Sequence, residues 1–487
     1  MAEWKKPELN DEFAQAVAAI RRRAKKQTDW DKLLDTYVLT DLAYRASTHD
    51  SQLVLGRRGT GKTHMFLALQ EQKRRKGETT HYIDCRTLGS GIVGSSEKAE
   101  QTAAKYFRSL LNDIGTYMLD MAMRMEMPAD GLQTRVDNAI YGLTTQMEPS
   151  QTEDNIKPTF NYRQITESLR AIIDDLSISH LFIIIDEWAQ IPIQVQPYVA
   201  EYIKRAIMTI PEVCIKLLAL NYQCHLSKQS NEGIIGIQRG ADIPDVLDFD
   251  SYFIYDENPN LVTNFFSEVL YNHLGAELLW ELKVSREDKA KRIADIFTQQ
   301  NSFIELVRAA EGNCRDFLCI FCNAFWGFRQ KEDAKAISIL HIRKAASDWY
   351  DSEKYVNIRG ETAQENILTF IMNNIIKGYK SRTFMVESSK AQSLVLTRLL
   401  NERILHKLSG FYSHKDLPGE RYELFNVDYG AYVRFKGTVN EPYQMVLPFI
   451  TDVPKLPTEE QRFMVPLDDK RSIRRIVFDP DTLKVTV

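Results

Sequence analysis

The sequence predicts an α/β fold: a parallel sheet covered by helices, then an all-helical region, then a C-terminal winged helix. Three observations predict it. Short, almost wholly apolar runs alternate with helical stretches from residue 51 to about 256. A glycine-rich octapeptide, Gly56-Arg57-Arg58-Gly59-Thr60-Gly61-Lys62-Thr63, lies between the first such run and the first such helix. Residues 356–445 read as helix, turn, helix and then two β-rich runs.

In the first region the apolar runs are 52–55, 81–85, 181–185, 215–220 and 251–255. Strands this apolar are buried on both faces, which is the property of parallel sheets. Helical stretches at 96–125 and 160–177 separate the second run from the third, and 126–158 reads as an insertion or mobile loop. Before the sheet, residues 1–50 form a helical segment, with Phe13, Val17 and Ile20 on one face and the basic run Arg21-Arg22-Arg23, Lys25-Lys26 behind it. The sheet-forming base spans 51–256. Helical periodicity then holds through 257–355, in segments 261–274, 287–299, 302–311, 314–329 and 337–349. In 356–445 helices are expected at 363–376 and 388–405, a short run at 383–386, and a hairpin of 421–427 with 431–435 joined through Asp428-Tyr429-Gly430. Residues 446–487, richer in proline and charge, read as a surface tail.

Composition is that of an ordinary globular chain. Of 487 residues, 44% are hydrophobic and 26% charged, enough to build a large core. The six cysteines lie mostly in apolar stretches and read as reduced thiols of a cytoplasmic protein. The first residues lack the apolar stretch of a signal peptide, and no apolar run is long enough to span a bilayer. A net charge of −4 argues against a chain that coats nucleic acid with its whole surface.

The octapeptide carries the chemistry. It matches G-x-x-x-x-G-K-[ST] in full, with a strand before it and a helix (64–72, opening on His64) after it. Small residues let backbone N–H groups converge on phosphate oxygens, and the helix N-terminus adds a favourable dipole. Lys62 supplies a cation to the β- and γ-phosphates of ATP, and the Thr63 hydroxyl is a ligand for Mg²⁺. The apolar run 181–185 ends in Asp186-Glu187. Acids at the carboxyl end of a strand face the phosphates in such a sheet, so Asp186 is assigned to Mg²⁺ and Glu187 to polarising the attacking water. Asn221, after the run 215–220, stands where an amide can help position that water. Arg315, in Gly312-Asn313-Cys314-Arg315-Asp316-Phe317, falls in a first helical turn, where a cation is disfavoured. Such a local conflict marks it as a candidate for reaching the γ-phosphate.

These stations, in this order, resemble the AAA+ ATPases: Walker A, Walker B with its catalytic glutamate, sensor 1 (Asn221) and sensor 2 (Arg315), over about 51–350. The phrase around Arg315, followed by a winged helix, is similar to the Orc/Cdc-type initiator clade, although Cys314 stands where that clade often has proline. The resemblance implies an AAA+ base with a helical lid. It also implies a homo-oligomer and an arginine finger donated by a neighbouring subunit, for which Arg239 in Ile237-Gln238-Arg239-Gly240 is the candidate.

Other signals are weaker. Cys314, Cys319 and Cys322 match part of an iron–sulfur spacing, but they sit in one amphipathic helix and read as buried thiols. Lys73-Arg74-Arg75-Lys76 ends a helix, where cations belong. Residues 361–440 hold 11 Lys and Arg against 8 Asp and Glu, a net of +3. Lys377, Lys380, Arg382 and Lys390 flank the expected recognition helix, and Lys415 and Arg421 lie near the wing. The first expected function is an ATP-hydrolysing switch that assembles on duplex DNA, in replication initiation, a mobile element or antiphage defence. The second is an ATP-assembled regulator of an effector protein, such as a nuclease or toxin. A sensor that binds but does not hydrolyse nucleotide is disfavoured by the intact Asp186-Glu187 pair.

Overall fold

A computed structural model describes residues 8–21, 24–89, 98–124, 131, 134–138, 160–231, 233–255, 257–331, 335–408, 419–442 and 476–486. Most of the expected insertion at 126–158, the basic pair Arg22-Arg23, Lys415 and most of the tail from 446 lie outside them. The chain divides into two compact units. One is Leu39–Gly56 with Lys62–Phe249; the other is Met1–Val38, Arg57–Gly61 and Asp250–Val487.

The first unit is built on a sheet. Its strands are β1 (Gln52–Leu55), β2 (Thr79–Asp84), β3 (Leu181–Asp186), β4 (Val213–Ala219), a small antiparallel hairpin of β5 (Ser227–Ser230) and β6 (Gly233–Gly236), and β7 (Asp245–Asp248). The main sheet runs β2-β3-β4-β1-β7 with every pairing parallel. β3 and β4 are buried at every position, as expected of central strands covered on both faces. The helix Ala99–Met123 lays Phe107, Leu110, Leu111 and Ile114 into the same core as Ile183, Ile185 and Ile215.

The fifth strand is not at 251–255, as the apolar pattern indicated. It is β7, and Phe249–Tyr252 is a helical turn. An edge strand pairs on one side only, so β7 needs few apolar residues: Leu247 is buried, while Asp245 sits at the edge and accepts from Arg45 and Gln52 at 2.7 Å each. The aromatic residues that imitated a strand serve the other unit's core instead, where Phe253 packs on Phe265 at 4.3 Å between ring centres.

In the second unit the helix Asp11–Ala19, capped by Asn10, buries Phe13 and Val17. Phe13 packs on Phe325 at 5.5 Å between ring centres. The five expected helices of that region are Pro259–Leu278, Arg286–Ala294, Gln300–Ala309, Cys314–Arg329 and Ile339–Trp349. The C-terminal module follows. Thr362–Phe370 runs on as a wider helical turn to Gly378. Then come β8 (Thr383–Glu387), short helices Ser388–Ala391 and Leu394–Asn401, β9 (Leu405–Lys407) and β10 (Tyr422–Val427). A last hairpin, β11 (Val477–Asp479) and β12 (Lys484–Thr486), completes a mixed sheet ordered β12-β11-β8-β10-β9.

The winged-helix order holds with two corrections. The single helix expected over 388–405 is broken, because Ser393 caps a new helix at Leu396 N, and Leu405 already belongs to a strand. The wing pairs β9 with β10, not 421–427 with 431–435. Residues 429–435 are helical: Asp428 accepts from Gly430 N and starts a turn there. The apolar run of that turn is buried on all sides, so its alternation carried no strand signal.

Candidate nucleotide site

Glycine is required where the loop turns back on itself. Gly59 and Gly61 have φ of 93° and 100°, and a Cβ on Gly59 would lie 2.4 Å from Asn313 Oδ1. Asn313, fully buried, caps the helix Cys314–Arg329 by accepting from Arg315 N and Asp316 N, while its Nδ2 donates to Arg58 O at 2.7 Å. Arg315 N also donates to Gly59 O at 3.0 Å. The arc Arg57–Gly61 is thus clamped to the start of the helix that carries Arg315. Within the arc, Thr60 Oγ1 donates to Arg57 O at 3.0 Å.

In the sheet unit the helix Lys62–Arg75 begins directly after the loop, with His64 half-buried in its first turn. Lys62, almost wholly buried, donates to the Gly56 carbonyl. Its basic end is satisfied locally: Glu71 holds Arg74 and Arg75, and Glu78 holds Lys73. Thr63 Oγ1 donates to Asp186 Oδ2 at 2.9 Å, which places the two expected Mg²⁺ ligands side by side. A hydroxyl beside a carboxylate is a hard oxygen pair of the kind Mg²⁺ takes. Asp186 Oδ1 accepts from Glu187 N at 2.7 Å.

Glu187 leaves the strand in a left-handed conformation, φ 59° and ψ 37°. A non-glycine residue there is strained by about 1–3 kcal/mol, and such strain gathers at functional sites. β3 ends there, while Asp186 stays in register with Asp84 of β2. Asn221 opens a short turn two residues past the end of β4, the strand next to β3, so topology brings it to the same edge of the sheet. Arg239 is exposed, in a turn bridged to Ile243. Burial pushes the Cys224 thiol up to about 11 against the pull of that arginine.

Sequence reasoning missed three residues. Tyr82, on β2, donates its hydroxyl to Asp186 Oδ2. Burial, then Asp186 itself, hold the phenol far above its ordinary range, so it stays a donor. The strand pairing of β2 with β3 was legible, but not which of its side chains would meet Asp186. Arg86, bonded to Asp84 at 3.0 Å through Nε, is held charged by Asp84, with Glu187 adding to the effect. Gln196, fully buried, ties the turn after Glu187 to the turn after Asn221: it accepts from Trp188 Nε1 and donates to the Gln223 carbonyl, at 3.0 and 3.1 Å.

Removing one outer hydrogen bond from a ligating carboxylate costs metal affinity about 10–100-fold. Tyr82→Phe is therefore expected to raise the Mg²⁺ concentration needed for half-maximal ATP turnover by about tenfold or more. A Mg²⁺ titration of phosphate release that superposes on the parent's would reduce Tyr82 to packing.

No family model matches the chain, and neither does any curated protein. Among solved structures the chain is similar to one titled "Structure of Drosophila ORC bound to DNA", at 13% identity and a TM-score of 0.33, over 89% of this chain and 93% of that one. It is also similar to the Aeropyrum pernix ORC1 protein in complex with DNA, at 14% identity and a TM-score of 0.33, over 86% of this chain and 94% of that one.

Proposed function

We propose that this chain binds ATP with Mg²⁺ in the loop Gly56–Thr63 and hydrolyses it, and that the ATP state drives assembly. The observation that carries the reading is the pair Thr63 Oγ1 and Asp186 Oδ2 at 2.9 Å, followed at once by the strained Glu187. Lys62 neutralises the phosphates, Thr63 and Asp186 hold the metal, Glu187 orients and deprotonates water, and Asn221 assists. Arg315 and, from a neighbouring subunit, Arg239 are the cations proposed for the γ-phosphate.

The winged-helix module supports assembly on duplex DNA, as in replication initiation, a mobile element or antiphage defence. A second reading, docking of an effector protein such as a nuclease or toxin, is favoured by one observation. Most of the cations proposed for phosphate already have protein partners. Arg382 is buried against Glu311, Lys390 pairs with Asp479 and Lys380 reaches the Val439 carbonyl, while on the helix Leu394–Asn401 Arg398 pairs with Glu361 and Glu402. Half-buried single pairs such as Lys390–Asp479 are worth about 1 kcal/mol and can exchange for phosphate.

Light scattering decides between them. With ATP, the Glu187→Gln variant is expected to form a larger particle than the nucleotide-free protein, and duplex DNA is expected to join it. Binding through phosphates would then weaken steeply with salt. Assembly that ignores DNA at low salt would assign the module to a protein partner. No change of mass with ATP would end the switch reading.

A further inference from the structure

The motif leaves position 57 open, so it does not dictate the arginine there, and the guanidinium bonds groups outside the loop. Arg57 N and Nε both donate to the Asp250 carboxylate, each at 2.9 Å. Nη2 donates to the Glu311 carbonyl at 2.9 Å, and Nη1 meets His406 Nδ1. His406 lies buried on β9 of the C-terminal module, with Nε2 2.8 Å from Asp428 Oδ2. A carboxylate accepts, so Nε2 carries the proton and Nδ1 is left as the acceptor that a guanidinium needs.

The chain of contacts continues inward. Lys354 Nζ bridges Asp428 and Asp316 at 2.6 and 2.9 Å, and Arg403 Nε donates to Asp316 at 3.1 Å. Three cations (Arg57, Lys354, Arg403) face three carboxylates (Asp250, Asp316, Asp428), with a neutral imidazole between Arg57 and Asp428. A balanced, hydrogen-bonded network of this kind fixes geometry more than it adds stability.

We propose that His406 is a positioning residue for the phosphate loop: through Nδ1 the winged-helix module holds Arg57 and so sets the course of the arc Arg57–Gly61. The consequence for nucleotide rests on the ATP reading above; the hold on the loop does not. By linkage, anything that displaces β9 changes nucleotide affinity, and nucleotide changes the module by the same factor.

The test is hydrogen exchange by mass spectrometry on the full chain without nucleotide, alongside ATP affinity. His406→Asn keeps an acceptor near the place of Nδ1. His406→Gln reaches Asp428 and offers Arg57 nothing. With Gln, exchange of the peptide over 56–63 is expected to rise about tenfold, the measure of one hydrogen bond to a charged group, and ATP affinity to fall by a like factor. Exchange over 181–186 stays unchanged, and Asn behaves as the parent. Arg57→Met matches Gln, and adding Gln to it changes nothing more. Unchanged loop exchange in Gln overturns the proposal, as does a rise everywhere in both variants, or effects of Arg57→Met and Gln that simply add. If the parent binds no nucleotide while the exchange pattern holds, the positioning stands and the ATP reading falls.

Discussion

Glu187→Gln is expected to bind ATP as the parent does and to hydrolyse it about 10²–10⁴-fold more slowly, the usual contribution of a positioned base. The division of labour at the end of β3 gives the reason. Asp186 is occupied by Thr63, Tyr82 and the Glu187 backbone, which suits the metal position proposed for it. The left-handed turn ends the strand at Glu187, whose carboxylate is the one proposed for water. Glutamine keeps the shape and removes only the basicity, so steady-state phosphate release should collapse while the dissociation constant for ATP stays put. Unchanged turnover would show that Glu187 is not the base and would move attention to Asp84.

Lys354→Ala is expected to cost about 3–5 kcal/mol of stability, read as a lowered urea midpoint, because it strands two buried carboxylates. Lys354 is 1% exposed, and its partners Asp316 and Asp428 are 0% and 2% exposed. Neither can turn to water, and Asp316 keeps only Arg403 and Trp349 Nε1. Restoring part of the loss with Asp428→Asn in the same chain would tie the cost to unpaired charge rather than lost packing. No loss from Lys354→Ala would mean that water enters this site. The pH response has a definite sign. Burial opposes the charge of Asp316, but Lys354 and Arg403 outweigh it and hold the carboxyl well below its usual range. A depressed folded value stabilises above the ordinary carboxyl range and loses that contribution as pH falls through the depressed value. Acid unfolding of the parent should therefore be deferred relative to Lys354→Ala.

The placing of the loop between β1 and a helix, and of Asp186-Glu187 at the end of β3, was legible because the pattern is local: a motif of eight residues between a strand and a helix, and two acids at the end of an apolar run. What was not legible depends on side chains far apart in sequence. Tyr82 meets Asp186 across 104 positions, and Arg57 meets His406 across 349. Local pattern assigned Arg57 to the phosphates, whereas its guanidinium is turned to Asp250, Glu311 and His406. The strand misread at 251–255 and the wing misread at 431–435 share one cause. Short apolar runs buried on every side, such as those around Phe253 and Tyr432, have no periodicity that tells strand from turn.

The last hairpin does more than extend a sheet. β11 lies along β8, with Met385 N donating to the Ile476 carbonyl at 2.8 Å, and it places Phe478 against Phe370 and Phe384. Stripped of 476–486, β8 would present Phe384, Met385 and Val386 on an open edge, the form of surface that recruits strands from other molecules. The hairpin therefore covers that edge, and among the described residues β12, bearing Lys484, is the outermost strand on this side of the sheet.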